Sequence, residues 1–172
     1  MDFFEAVRQR RAVRTYGNQP VEAEKLQQIL EAINSAPSAG NLQAYEVYLV
    51  RDDERKTALV EACLGQEFMA QAPLVLVFCA HGERAEARYG ERGTQLYALQ
   101  DATIACTFAM LAATAMGLAS VWVGKFEEQA VKDIVGVPRA ERPIAMLPIG
   151  YAAEVPPAPA RRALTHLIHE VK

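Results

Sequence analysis

The residues best suited to chemistry at the start of this chain are arginines. Residues 8–16 read RQRRAVRTY, which puts Arg8, Arg10, Arg11 and Arg14 within seven positions. Guanidinium forks match the geometry of phosphate and stay charged at any physiological pH. Gathering so many is costly without an anion to share. Arg10 and Arg11 precede Arg14 by four and three residues. The three converge if the helix expected over residues 2–9 continues through them. A solvated basic face is the other reading of such a run. Nucleic acid suits it poorly, because no aromatics interleave the arginines and the chain's net charge is -3. A single phosphate is the better target. A second pair, Arg161 and Arg162, follows a proline-rich arm near the C-terminus.

Residues 35–43, SAPSAGNLQ, form the other informative stretch. Small side chains let backbone approach a planar ligand, and the amides of Asn41 and Gln43 suit the edge of a heterocycle. Taken alone, the same loop reads as an ordinary helix-to-strand connection. No GxSxG, HExxH, P-loop or post-strand GxGxxG pattern occurs, and no nucleophile has a nearby base. His166 and His169 have no third ligand near them in sequence and read as surface residues. Reactivity in such a chain belongs to a cofactor. Arginines at 10–14 and 161–162, with an amide loop between, suit a ligand carrying a phosphate at one end and a polar ring at the other. Flavin mononucleotide (FMN) has that form.

The elements that must position these residues follow from pattern. The chain has 172 residues, 51% hydrophobic and 23% charged, a one-domain length and an ordinary globular composition. Three widely spaced cysteines, Cys63, Cys79 and Cys106, sit among apolar residues and imply reduced, buried thiols in a cytoplasmic protein. The N-terminus has no apolar stretch of the signal-peptide kind. Helices are expected over 2–9, with Phe3, Phe4 and Val7 on one side, and over 22–35, with Leu26, Ile29, Leu30 and Ile33 as a stripe. A half-buried strand is expected at 45–50, helical segments at 53–64 and 66–71, and a strand covered on both faces at 74–80. Residues 83–95 are polar and read as a solvated excursion. Residues 102–123 contain no charge and are long enough to cross a bilayer. Gly117 divides them, however, into a buried helix with a glycine cap and a buried strand over 119–123. A helix at 127–136 and a strand at 144–150 follow, with Pro148 calling for a strand edge or a bulge. The apolar stripe Leu164, Leu167, Ile168 and Val171 must dock on something, such as a partner subunit. Uneven connections favour α+β with a central sheet over a doubly wound fold.

Five stretches in order, RRAVRTY (10–16), APSAGNLQ (36–43), RYGERGTQLYALQDA (88–102), MGLASVWVGKF (116–126) and LPIGYAAE (147–154), resemble the short members of the nitroreductase family. That resemblance covers nearly the whole chain. It implies an α+β fold, an α/β/α sandwich on a central mixed or antiparallel sheet, in an intertwined homodimer with no membrane or nucleic-acid partner. Residues 1–172 would be one FMN-binding domain, with the arm from about 155 to 172 embracing the partner. It further implies that Arg10, Arg11 and Arg14, with Ala12 between them, hold the phosphate, ribityl chain and pyrimidine side of FMN. Pro37, Ser38, Ala39, Asn41 and Gln43 would reach the flavin of the other subunit. Val123, Gly124 and Lys125 would lie at the central ring, and Arg161 with Arg162 would return to the phosphate. The implied reaction is ping-pong: NADH or NADPH delivers hydride, and a nitroaromatic, quinone or related acceptor then removes it. Arg14 would stabilise negative charge at the pyrimidine end, and no side chain is required as catalytic acid.

The sequence also departs from that family pattern. Ala12 stands where a serine is common, Ala39 replaces a hydroxyl, Ala44 stands where a proline often follows, Phe108 replaces an Asn, and Lys125 replaces a small residue. None removes the arginines, so FMN binding is still expected. A flavin-binding or interaction protein without reductase turnover is the alternative that these departures permit.

Overall fold

A computed structural model describes residues 1–171. Four strands make one sheet in the order β1 (Tyr45–Val50), β2 (Leu74–His81), β4 (Glu141–Gly150), β3 (Ala119–Ser120), with every pairing antiparallel. The sheet is thus antiparallel rather than mixed, and the single parallel contact is an isolated bridge from Ala12 to Ser120.

β2 explains the layering. All its residues but His81 are buried, and alternate ones serve opposite cores. Leu74, Leu76 and Phe78 face α2 (Ala23–Asn34) and α6 (Ala98–Ala115). Val75, Val77 and Cys79 face α3 (Asp53–Ala62), α4 (Phe68–Gln71) and α7 (Glu128–Val135). The period of two, read from an unbroken apolar run, gives a strand covered on both sides. The result is the three-layer α/β/α arrangement.

β4 is longer than expected and lies inside the sheet, not at its edge. A bulge lies beside Pro143, where Phe78 pairs with Ala145 and Cys79 with Pro143, leaving Ile144 as the extra residue. Pro148 is accommodated differently. Met146 exchanges both backbone bonds with Val123 at 2.9 Å, so Pro148, two residues on, faces the same side. The ladder there is interrupted between Ser120 and Val123, and no N–H is called for. The strand expected over 119–123 is accordingly two residues plus that one bridge.

The supposed excursion at 83–95 is helical: α5 spans Gly82–Arg92, and a π-helical turn, Gly93–Tyr97, joins it to α6. Its charges occupy the outer face while Ala85 is buried. A charged helix with so few apolar residues leaves little core signal in sequence.

α6 is buried on one face only. Ala98, Asp101, Ala102, Ala105, Cys106, Ala109 and Ala113 face the sheet, whereas Ile104 and Leu111 are half-buried and Phe108 is 36% exposed. By length and composition the continuous helix Gly82–Ala115 could cross a membrane, but its inner face is committed to β2 and β4. It ends as expected. Gly117 has φ +76, its N–H donates to the Thr114 carbonyl, and the Leu118 N–H donates to that of Ala113 at 2.9 Å, the paired bonds of a Schellman cap. A methyl group at Gly117 would meet nothing within 4 Å, so Gly117→Ala isolates the backbone cost. We expect a loss of about 1 kcal/mol in denaturant unfolding; unchanged stability would show that the cap contributes nothing.

At the ends the apolar residues are unclaimed. Asp2 caps α1 (Phe3–Gln9), yet Phe3 and Phe4 are 63% and 69% exposed and only Ala6 is buried. The stripe at 164–171 forms one 3-10 turn, Leu164–His166, instead of a helix, and Leu164, Leu167, Ile168 and Val171 are exposed. Lys172, the last residue of the expected arm, lies outside the described residues.

The cysteines are free and buried. Burial pushes the thiols of Cys63 and Cys79 up to about 12 and raises that of Cys106 as well. The native protein should therefore resist thiol-specific reagents at pH 8 and react fully once unfolded. Rapid labelling of the native chain would contradict this.

Candidate functional site

α1 stops at Gln9, so the arginines do not converge on a helix face. Residues 10–16 run extended beside the start of β3: the Val13 N–H donates to the Ser120 carbonyl at 3.2 Å and Ala12 bridges Ser120. Val13 and Tyr16 are buried, Arg10 and Arg11 half-buried, and Arg14 exposed. The buried Tyr16 hydroxyl lies 3.0 Å from the Val13 carbonyl and 3.2 Å from that of Pro148, which anchors the segment to β4. Burial raises its pKa. The Ser120 hydroxyl, beneath the segment, is buried without a partner among the described residues.

Arg161 of the C-terminal arm lies near enough for its charge to act on Arg10. Burial first, then the positive charges of Arg161 and Arg11, lowers the pKa of Arg10. Among the described residues, the ion pairs are Lys25–Glu22, Lys56–Asp53, Arg84–Glu46 and Arg142–Glu128. None involves Arg10, Arg11, Arg14, Arg161 or Arg162. Arg11 satisfies one nitrogen on the Arg8 and Arg10 carbonyls, and Arg162 donates to the His166 carbonyl. Among the described residues these guanidinium groups have no carboxylate paired with them, an arrangement suited to a polyoxygenated anion.

From Ser120 the extended chain runs about 13 Å to Gly124. Val123 is buried and paired, while Gly124 and Lys125 are exposed. Gly124, Leu99, Phe126 and Ile144 line a cleft of about 280 Å³ with Arg142 and Glu128. Arg142 donates through Nε and Nη2 to Glu128 at 3.0 and 2.6 Å, and that bond holds the Glu128 carboxyl below the usual carboxylate range.

The small-residue loop lies at the N-terminal end of α6, where Leu99 lines both its cavity and the Gly124 cleft. Ala39–Asn41 is a single 3-10 turn, and Gly40, Asn41 and Gln43 have φ of +56, +57 and +47. Gln43 donates its backbone N–H to Ser38 Oγ at 2.9 Å and its side-chain amide to Asn34. Pro37, Ser38 and Ala39 face Tyr97, Gln100 and Thr103 across a cavity of about 590 Å³. Arg11 and Val13 instead share a cleft with Gly117 and Leu118. Along α6, from Asp101 to Gly117, that separation is about 24 Å. Arg10 and Arg11 thus lie within electrostatic reach of Arg161, Gly124 follows the bridged Ser120 by four residues, and residues 37–43 of the same chain line a different cavity from Arg11.

Sequence reasoning missed what holds the loop. Asp101, which directly precedes the uncharged run 102–123, is 2% exposed and accepts from the Ala39 and Ala44 N–H groups. Arg84 of α5 donates to the Gln43 carbonyl at 2.7 Å and pairs with Glu46, and Arg88 donates to the Gly40 carbonyl. A lone acid inside an apolar helix was the available signal, since a buried carboxylate must find donors. The arginines of α5 carried no comparable signal among the other charges there.

The whole chain superimposes on the hypothetical oxidoreductase YcnD of Bacillus subtilis with a TM-score of 0.92, at 31% identity and across 75% of that chain. The model of the nitroreductase family matches residues 7–67 and 61–151. The chain belongs to the nitroreductase family. Among similar proteins, a Thermus thermophilus protein named NADH dehydrogenase is 33% identical over 90% of this chain and 88% of its own length. An FMN reductase (NAD(P)H) of Bacillus subtilis is 35% identical over 84% of this chain and 63% of its own.

Proposed function

We propose that this nitroreductase is an FMN-dependent oxidoreductase that uses NADH or NADPH to reduce nitroaromatic, quinone or related acceptors. The observation that carries the reading is Arg10, half-buried within electrostatic reach of Arg11 and of Arg161 from the other end of the chain, with no ion-pair partner among the described residues. The names of relatives support the cofactor and the donor: an FMN reductase (NAD(P)H), and an NADPH-flavin oxidoreductase of Vibrio harveyi that is 26% identical over 96% of this chain.

The residues fit FMN. Arg10, Arg11 and Arg161 would take the phosphate, with Arg162 alongside, and Ala12 offers backbone but no hydroxyl to the ribityl chain. Val123 fixes the strand that presents the exposed Gly124 and Lys125 to the ring. Arg14, exposed, is free to supply positive charge at the pyrimidine end. When bound, FMN supplies two-electron redox chemistry, passing hydride equivalents from NAD(P)H to the acceptor through N5. The chain's part is to hold, orient and polarise.

We infer a homodimer. Phe3, Phe108, Leu111 and Ala115 line an apolar cleft of about 370 Å³ on the outer face of α6, and the arm's Leu164, Leu167 and Ile168 are unclaimed. A second copy would cover both. It would also bring Pro37, Ser38, Ala39, Asn41 and Gln43 of one chain to the flavin held by the other, which the 24 Å separation (about, along α6) keeps from its own arginines. Residues 1–172 act in this reading as one FMN-binding domain with the arm on the partner, and the buried free thiols suit the cytoplasm. The test is the spectrum of the purified protein. A yellow protein, bleached anaerobically by NADH or NADPH and recoloured by a quinone, is expected. A colourless protein indifferent to FMN would overturn the reading. A yellow protein that neither donor bleaches would favour flavin binding without turnover.

A further inference from the structure

Residues 38–44 form a loop under backbone strain. Two non-glycine residues, Asn41 and Gln43, lie in the left-handed region beside Gly40, and such conformations persist only when their surroundings enforce them. Arg84 and Arg88 hold the Gln43 and Gly40 carbonyls, and Asp101 is the buried group that holds both ends. One carboxylate oxygen accepts the Ala39 N–H at 2.9 Å and the other accepts the Ala44 N–H at 3.3 Å. Those two amides bracket the strained residues. Asp101 is 2% exposed, has no cation paired with it among the described residues, and projects from the helix that carries the exposed Phe108. It is a costly group to bury for fold alone.

We propose that Asp101 is a positioning residue for the flavin ring: it clamps both ends of the 38–44 loop and fixes the backbone and amides that meet the ring. This rests on the flavin reading above. Asp101→Asn nearly preserves volume but leaves one carbonyl oxygen for two N–H donors and turns an NH2 group toward one of them. The loop meets the ring and not the phosphate. Its loosening must weaken FMN and riboflavin alike.

The test is flavin-fluorescence titration of the full-length protein with FMN and with riboflavin, beside Arg10→Ala. Asp101→Asn should weaken both flavins by a similar factor, about tenfold, whereas Arg10→Ala should weaken FMN alone. A merely structural role would lower the unfolding temperature and leave both affinities unchanged; that result, or a loss confined to FMN, overturns the proposal. If Arg10→Ala behaves as expected while Asp101→Asn changes neither affinity, the flavin reading stands and the proposal falls. A wild-type protein that binds neither flavin overturns both. Should Asp101→Asn fail to fold, Gly40→Ala takes its place. A methyl group there would collide with the Tyr89 hydroxyl and sit 2.8 Å from Arg88 Nη1 at a φ of +56, disturbing the exposed loop without touching the core. The same parallel weakening is expected, and unchanged affinities overturn the proposal.

Discussion

Arg10→Ala should lower FMN affinity by about 1.5–3 kcal/mol, roughly ten- to a hundredfold, and leave riboflavin affinity nearly unchanged. Arg10 is half-buried, with its pKa already lowered by burial and by Arg161 and Arg11. Removing it relieves repulsion in the empty site as well as deleting a phosphate contact, so the loss falls wholly on the anion-bound state. Arg14 is exposed and should matter less to the phosphate. Calorimetric titration of the apoprotein checks the comparison, and equal affinity of wild type and Arg10→Ala for FMN would remove the arginines from the site.

The second large effect is at the apolar face. Phe108→Asp should convert the protein to monomers and strip it of flavin. Phe108 is 36% exposed on the outer side of α6, so the substitution empties no core and the monomer should keep its circular dichroism. In a symmetric dimer the face would meet its own copy, and each substitution would place two unpaired carboxylates in one interface at a cost of several kcal/mol. Sedimentation velocity and the flavin absorbance measure both consequences. A Phe108→Asp protein that remains dimeric and yellow would mean that another surface forms the assembly.

Much of this architecture was legible in sequence because it rests on periodicity. β2, with its seven buried residues, α2 with Leu26, Ile29 and Ile33, and the Gly117 cap all follow from local pattern. The failures have physical causes. The polar run at 83–95 forms α5 because its contacts are to backbone carbonyls of Gln43 and Gly40, which no apolar pattern announces. The helical convergence of Arg10, Arg11 and Arg14 failed because the Val13–Ser120 bond draws the segment into an extended strand. Arg10 and Arg11 remain side by side and half-buried in that segment, while Arg14 is exposed. Asp101 escaped notice because its partners, Ala39 and Ala44, are backbone donors 62 and 57 residues away.

The central claim is that one flavin site draws its arginines from one chain and its ring loop from another, and subunit mixing tests it directly. Arg10→Ala and Gly40→Ala chains, each impaired alone, are coexpressed in equal amounts and assayed for tight FMN sites. If the site is shared, a mixed dimer pairs the intact Arg10 of one chain with the intact loop of the other. About a quarter of the wild-type number of tight sites should then return. If each chain builds its own site, every site in every dimer carries one defect, and no tight site appears; that outcome would contradict the account.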